Sequence, residues 1–386
     1  MANENQSKTL VFSFDGTGNE PGDVAEFTED ESISNVLKLH LLMGGGLRED
    51  KSATKTPNGA TQETHYYNGI GTRESRYPIP LFGRLITTLR QHVNMAFAPT
   101  FGDARRILDE AEEDFRRAEY HQGDKLAVFG FSRGAALARK FVSMLLADRE
   151  DCEVSFLGVF DTVAAMNGVH RKGEKISSDV VFENGTLNDR VKRAVHIVSL
   201  DEDRVPFTPT LINRDFENPD RILEVWFPGV HSDIGGGYWF DGLSDLALEF
   251  MIDQCKETLE KDISIHQGDS ASIRNLLREQ GTQLSELTAD DIAIHSLSSG
   301  VMHLHSGLVA KAGDQEPRSV YVSVNDRPGK EEPLVHWSVK ERFDNTVAYR
   351  PPALRGLKFR LLLKDGQTSD LIHGIAGLRE YSFRSI

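Results

Sequence analysis

Cysteine is scarce: Cys152 and Cys255 are the only two in 386 residues. Two thiols cannot form a disulfide framework, and these lack the spacing of a metal site, so the chain suits a reducing compartment or is indifferent to redox state. No run of about 18 apolar residues occurs, so no bilayer-spanning helix is expected. The opening MANENQSKTL is polar and lacks the basic-then-apolar order of a secretory signal. Sec export is therefore not expected, and a cytoplasmic location is. Basic residues are outnumbered, with 44 Lys and Arg against 59 Asp and Glu and a formal net charge of −15. That balance argues against nucleic acid as a partner, because binding a phosphate backbone rests on a basic face. It also removes long-range attraction to anionic headgroups, leaving transient membrane-surface contact to local apolar groups or to a partner. Internal repeats and low-complexity tracts are absent.

What is present reads as an ordinary globular chain, 39% hydrophobic and 27% charged. Short apolar runs alternate with amphipathic stretches through the first half, the pattern of an α/β fold whose mostly parallel sheet carries helices on both faces. TLVFSF (9–14), THYYNGIGT (64–72), DKLAVFGFS (124–132), VSFLGVFDT (154–162), RAVHIVSLDED (193–203) and ILEVWFPGVHSD (222–233) are the strand candidates. Helical periodicity marks 33–44, the charged run ending near residue 120, the stretch after Ser132, and 243–261. Residues 1–261 are expected to form the core. Residues 262–386, where only SVYVSVND and LKFRLLL suggest strands, are expected to pack on it as a C-terminal extension.

Chemistry first surfaces in LVFSFDGTGNE. A strand running into Asp-Gly-Thr suggests a phosphoryl-transfer site of the D-x-D type, but Ser13 occupies the position of the first aspartate and only Asp15 remains. A stronger signal is Gly130-Phe131-Ser132-Arg133-Gly134, a G-x-S-x-G set between a strand and a helix. A serine on that sharp turn needs nearly side-chain-free neighbours two residues to either side, and its hydroxyl is then exposed at a helix N-terminus. The competing reading of Ser132 is a helix cap.

A nucleophilic serine requires a base, a carboxylate to orient that base, and oxyanion donors. His231, at the end of a strand and followed by glycines, is the expected base; His196, inside a strand, reads as structural. The acid is expected to be Asp201 by the chain order Ser, acid, His, with Asp203, Asp161 and Asp233 as alternatives. Each of these aspartates can equally be a loop cap. The N–H of Arg133 is one expected oxyanion donor, and Gly16 and Thr17 after the first strand are the others, with Asp15 holding that loop. Cofactor and metal are not required by this chemistry. A serine hydrolase of carboxylic esters is thus the leading expectation, beside a soluble-substrate carboxylesterase or thioesterase and a catalytically silent binding scaffold.

In order, FSFDGTGN, YYNGIGT, VFGFSRGAALAR, LGVFDTV, VHIVSLDEDRVPF, VWFPGVHSDIGGGY…LSDLALEFM and, at 335–354, VHWSVKERF…YRPPAL resemble the blocks of a DUF-type α/β-hydrolase family. Its best-known members are G-x-S-x-G phospholipase effectors of bacterial type VI secretion. The resemblance covers roughly residues 8–357 and implies hydrolysis of (lyso)phospholipid acyl esters. It also brings in a Sec-independent secretion route and a secretion or immunity partner. A lipid substrate calls for an apolar groove or lid; the candidate is 77–101 with Arg84, Arg90 and His92, which reads equally well as a core-covering helix pair, and Trp239–Leu243 is placed beside the histidine loop.

Overall fold

The computed structural model describes residues 7–16, 31–46, 52–70, 101–164, 185–269, 271–274, 287–304 and 315–382. Thr9–Phe14 (β1) is buried at all six positions, as a strand covered on both faces must be. Its side chains alternate: Leu10, Phe12 and Phe14 enter one core, whereas Val11 enters the opposite one. Glu31–Ser34 (β2) runs into helix Asn35–Leu42 (α1), and Ser34 caps that helix by accepting from Leu37 N–H at 3.1 Å. Ser52–Lys55 (β3) forms a hairpin with Thr61–Tyr67 (β4), which pairs in parallel with β1.

The charged run forms Phe101–Arg117 (α2), and Ile107, Leu108, Ala111 and Phe115 turn its apolar stripe into the core. Lys125–Phe131 (β5) leads directly into Ser132–Asp148 (α3). Phe156–Phe160 (β6), Ala194–Ser199 (β7) and Ile222–Phe227 (β8) follow. His231–Gly235 (α4) is a short helix ending in Gly236–Tyr238 (β9), which pairs with β2. Helix Gly242–Leu259 (α5) closes this part of the chain.

Beyond it come the single turn Ala289–Ile292 (α6) and a two-residue ladder, Ser323–Val324 (β10) with Arg327–Pro328 (β11). Leu334–His336 (β12), Trp337–Asn345 (α7), Lys358–Leu362 (β13), Ile372–His373 (β14) and Gly374–Glu380 (α8) complete the described strands and α-helices. Among the described residues the main sheet has ten strands in the order β14-β13-β12-β8-β7-β6-β5-β1-β4-β3. Its inner strands are parallel, and β3 and β14 are the antiparallel edges. The strand expected in SVYVSVND shrinks to two residues, while β12 and β13 extend the sheet beyond β8. Helices α2 and α3 cover one face, and α1 and α5 the other. No helix of the described residues is long and apolar enough to cross a membrane.

The parallel arrangement puts the C-terminal ends of β5, β6, β7 and β8 side by side. Packing there is tight where α3 starts against β1. A Cβ on Gly134 would lie within the van der Waals envelope of the Phe14 and Asp15 carbonyl oxygens, and one on Gly130 would lie 2.7 Å from Ala135 Cα. Both obstacles are backbone, which cannot rotate aside. Gly134→Ala is therefore expected to lower stability by about 1–3 kcal/mol or more, the usual cost of overpacking. Urea unfolding of the variant checks it, and an unchanged midpoint would contradict the close approach.

Candidate active site

Ser132 opens α3 with φ 57°, in the left-handed region that non-glycine residues avoid. Holding it there costs on the order of 1–2 kcal/mol. Phe131 of β5 stands opposite Phe160 of β6, so the residues just past the two strands, Ser132 and Asp161, come level. Asp161 is also left-handed, at φ 38°. From the turn after β8, His231 reaches both. Its Nε2 lies 2.8 Å from Ser132 Oγ and its Nδ1 2.5 Å from Asp161 Oδ2. Because an ionised carboxylate only accepts, this order assigns the ring proton to Nδ1 and leaves Nε2 to accept from the serine.

The imidazole is held on its faces and at its backbone. Phe131 and Phe207 flank it with ring centroids 4.7 and 4.9 Å away. The His231 N–H donates to Glu202 Oε2 at 3.1 Å, satisfying one orphan amide at the start of α4. Arg204 in turn binds both oxygens of Glu202 and lies 3.7 Å from the Phe207 ring centroid. Burial lowers the His231 pKa, and the nearby Asp161 carboxylate offsets this only in part. The ring is consequently neutral at neutral pH.

Asp161 has no exposed surface. Burial alone would raise its pKa, but Arg318 and the hydrogen bond from His231 outweigh that and hold the carboxyl well below the usual range. The guanidinium donates to both oxygens, Nη1 to Oδ1 at 2.5 Å and Nη2 to Oδ2 at 2.8 Å, and Ser199 N–H adds a third bond at 3.0 Å. Behind this turn, buried His196 accepts from Thr162 N–H at 3.1 Å and pairs with Glu224 at 2.8 Å.

The carboxylate expected first is displaced from this row. Asp201 is the second residue past β7, and its Oδ2 accepts from Gly229 N–H at 2.8 Å and Tyr349 Oη at 2.9 Å instead of meeting His231. Asp161, one of the alternatives, takes that position because it directly follows the strand beside β5. Asp233 caps its own helix and does not meet the His231 ring. It bonds Val230 N–H and His303 Nδ1, at 2.9 and 2.6 Å. Asp203 meets the neighbouring segment through its carbonyl, which accepts from Glu316 N–H at 2.8 Å.

On the expected oxyanion side, Asp15 holds the loop: its Oδ2 accepts from Ser34 Oγ and Tyr66 Oη at 2.6 and 2.5 Å. Gly16, expected as a donor, has its N–H engaged by Asp15 Oδ1 at 2.6 Å, because that carboxylate folds back over the next peptide. Thr17 lies outside the described residues, as do Arg84, Arg90, His92 and nearly all of 77–101. Arg133 follows Ser132 at the N-terminus of α3, and desolvation lowers the pKa of its buried side chain to about 10. Arg318 and Glu202 were missed as members of this cluster. For Arg318 the available signal was the need of a buried Asp161 for a cation.

Among the described residues no group of three or more His, Cys, Asp or Glu is arranged to hold a metal. A cavity of about 870 Å³ between β8, α5 and β12–β13 includes Glu224, Trp226, Phe250 and Trp337 in its lining, but none of Ser132, His231 or Asp161.

A mostly parallel sheet with helices on both faces and a strained serine turn after β5 defines an α/β-hydrolase. The family model described as "T6SS, Phospholipase effector Tle1-like, catalytic domain" matches residues 8–148 and 146–254. The chain belongs to that family. Similar solved structures include an uncharacterized protein from Pseudomonas aeruginosa, with 19% identity, 69% of this chain and 47% of that one covered, and a TM-score of 0.40. Another is a Tle1 effector bound to the VgrG spike of a type 6 secretion system, with 22% identity, 60% and 51% coverage, and a TM-score of 0.35. A hormone-sensitive lipase from a metagenome library has 10% identity, 67% and 80% coverage, and a TM-score of 0.32. This chain spans about half the length of the first two. No curated protein matches it.

The surroundings of Asp201 have a thermodynamic consequence. Burial pushes its pKa up to about 7, against about 3.9 when unfolded. As pH rises from about 4 to 7 the unfolded state ionises first, so the residue increasingly favours unfolding across that window. An amide oxygen can accept the same two hydrogen bonds without a charge. Asp201→Asn is expected to gain stability relative to wild type as pH increases from 4 to 8. Urea unfolding at several pH values checks this, and a difference independent of pH would refute it.

Proposed function

We propose that the protein is a serine hydrolase of glycerophospholipid or lysophospholipid acyl esters, working through an acyl-enzyme on Ser132. The carrying observation is the unbroken row Ser132 Oγ, His231 Nε2, His231 Nδ1, Asp161 Oδ2, with links of 2.8 and 2.5 Å. In this reading Ser132 Oγ attacks the acyl carbonyl as His231 Nε2 takes its proton. Asp161 stays ionised, keeps the ring oriented and stabilises the imidazolium. The oxyanion is met by the Arg133 N–H and by a donor from the loop after β1. With the Gly16 amide engaged by Asp15, Thr17 is the proposed second donor. Collapse of the intermediate returns the proton from His231 to the departing alcohol oxygen. Water, activated by the same imidazole, then hydrolyses the acyl-enzyme and restores Ser132.

A lipid substrate is supported by family membership and by the rim of the histidine loop. Trp239 and Phe240, just past β9, are 47% and 58% exposed, and Leu297 and Leu304 are 53% and 66% exposed. The Leu297 N–H donates to Gly242 O at 2.9 Å, joining these two segments beside α4. Such an apolar rim suits transient contact with a lipid surface despite the protein's net negative charge. Export by the type VI route and a secretion or immunity partner belong to the same proposal.

Incubation with defined phospholipids and mass-spectrometric detection of released fatty acid tests the activity. Ser132→Ala and Asp161→Asn are each expected to lower kcat by about 10³-fold or more, while Asp201→Asn stays within about threefold of wild type. Equal loss in the two Asp variants would overturn the assignment of the acid. Because burial lowers the His231 pKa, the acid limb of kcat/KM is expected below about pH 6.5, the ordinary histidine value. A limb well above that value would be inconsistent with a neutral buried base.

A further inference from the structure

We infer that Arg318 is a positioning residue of this site, holding the Asp161 carboxylate ionised and aimed at His231. The inference rests on the serine-hydrolase reading and adds a part to it. Arg318 bonds both oxygens of Asp161, at 2.5 and 2.8 Å, in the fork geometry that a planar guanidinium provides. Its plane is fixed independently, since Nη1 also donates to Ser199 O at 2.8 Å and Nη2 to Phe207 O at 2.6 Å. Ser199 supplies the third donor to Asp161, and Phe207 is the ring packed edge-on against His231. One guanidinium therefore fixes the acid together with the backbone of two residues that shape the surroundings of the base.

The segment carrying Arg318 is fastened on both sides. Gln315 bridges to Arg204 and Ser323 to Asn213, so the chain from 315 to 323 runs beside 203–214. The side chains of both Arg318 and Asp161 are nearly or fully buried, at 4% and 0% exposure. Without the guanidinium Asp161 would be a charge with no water to solvate it and only the Ser199 amide and His231 to compensate it.

Among the described residues, the charged groups around His231 are Asp161, Glu202 and Arg204, with Asp233 two residues along α4 paired to His303. Arg318 is, among the described residues, the cation that touches Asp161. Removing it acts in a single direction. An uncompensated Asp161 favours the imidazolium, and Asp161 itself takes up a proton at higher pH. Both effects move the acid limb of kcat/KM upward. An ion pair that merely tied residues 315–323 to the sheet would change the amount of folded protein and leave the profile of the remaining enzyme in place.

The test compares wild type, Arg318→Gln and Arg318→Lys by thermal melting. It continues with kcat and KM per site titrated with a fluorophosphonate, the pH profile, and His231 ring titration by NMR. Arg318→Gln is expected to lower kcat by about 10- to 100-fold with KM within about threefold. Its acid limb and the His231 titration should both rise by about one pH unit. Arg318→Lys restores the charge without the fork, so the limb should return to within about half a unit while kcat recovers only in part. Wild-type kcat per site with an unmoved limb in Arg318→Gln would overturn the inference. Should that variant fail to fold, a wild-type kcat in Arg318→Lys would overturn it as well. If wild type neither hydrolyses acyl esters nor labels at Ser132, the hydrolase reading fails. The NMR titration still judges the clamp in that event, because it needs no turnover, and an unmoved His231 would refute it.

Discussion

A carboxylate sealed from water must find its solvation in the protein, and Asp161 imposes that demand on this fold. Its two oxygens are met by Arg318, Ser199 N–H and His231 Nδ1, contributed by three separate stretches of chain. Those partners can converge only because the parallel sheet aligns the C-terminal ends of β5, β6, β7 and β8. Burial of a charge this deep costs several kcal/mol unless it is compensated with good geometry. The arrangement of the loops around it is therefore set by electrostatics as much as by packing.

Much of the scaffold was legible because two-sided burial writes strands as apolar runs. Thr9–Phe14, Lys125–Phe131 and Ala194–Ser199 are such runs, and the structure buries them almost entirely. Ser132 was legible through the glycines around it, and His231 through its place between a strand and a glycine-rich turn. Choosing the acid was harder, because Asp161 and Asp201 both follow an apolar strand within two residues. What separates them is that Asp161 directly follows the strand beside β5 and adopts a left-handed φ of 38° there, whereas Asp201 lies one strand further away. Sequence pattern carries no such angle. Arg318 was less legible still, at 157 residues from its partner and just ahead of a stretch that reads as a strand yet forms only two ladder residues. The three-residue β12 is too short to show a period at all.

The strained turn and the tight packing next to it are two halves of one device. Ser132 holds a backbone conformation that serine avoids, and the free energy to hold it comes from contacts made by α3 and β5. Gly134 lets the first turn of α3 lie on the carbonyls of Phe14 and Asp15, which brings the end of β1 against the start of that helix. Asp15 is itself held by Ser34 and Tyr66. Ser34 in turn caps α1, so the geometry at Ser132 is continuous with the helix on the opposite face of the sheet. A second buried charge ties α1 to α5: Lys38 is paired with Asp241 and Asp245 at the start of α5 at 2.6 and 2.8 Å.

These supports matter because charge moves during ester hydrolysis. In the proposed mechanism His231 passes from neutral to cationic while almost fully buried, so the compensating dipoles and charges must already be in place. Asp161 meets that requirement only if it remains ionised throughout, and a carboxylate at zero exposure would otherwise favour its protonated form. Arg318 removes that alternative, and the bridges at Gln315 and Ser323 anchor the segment that carries it. Preorganised electrostatics of this kind act without reorganisation at the moment of reaction. Residues beyond 262 thus contribute to the charge balance of the site as well as to the edge of the sheet. Cutting the chain after α5 would remove the guanidinium and leave Asp161 buried without its cation.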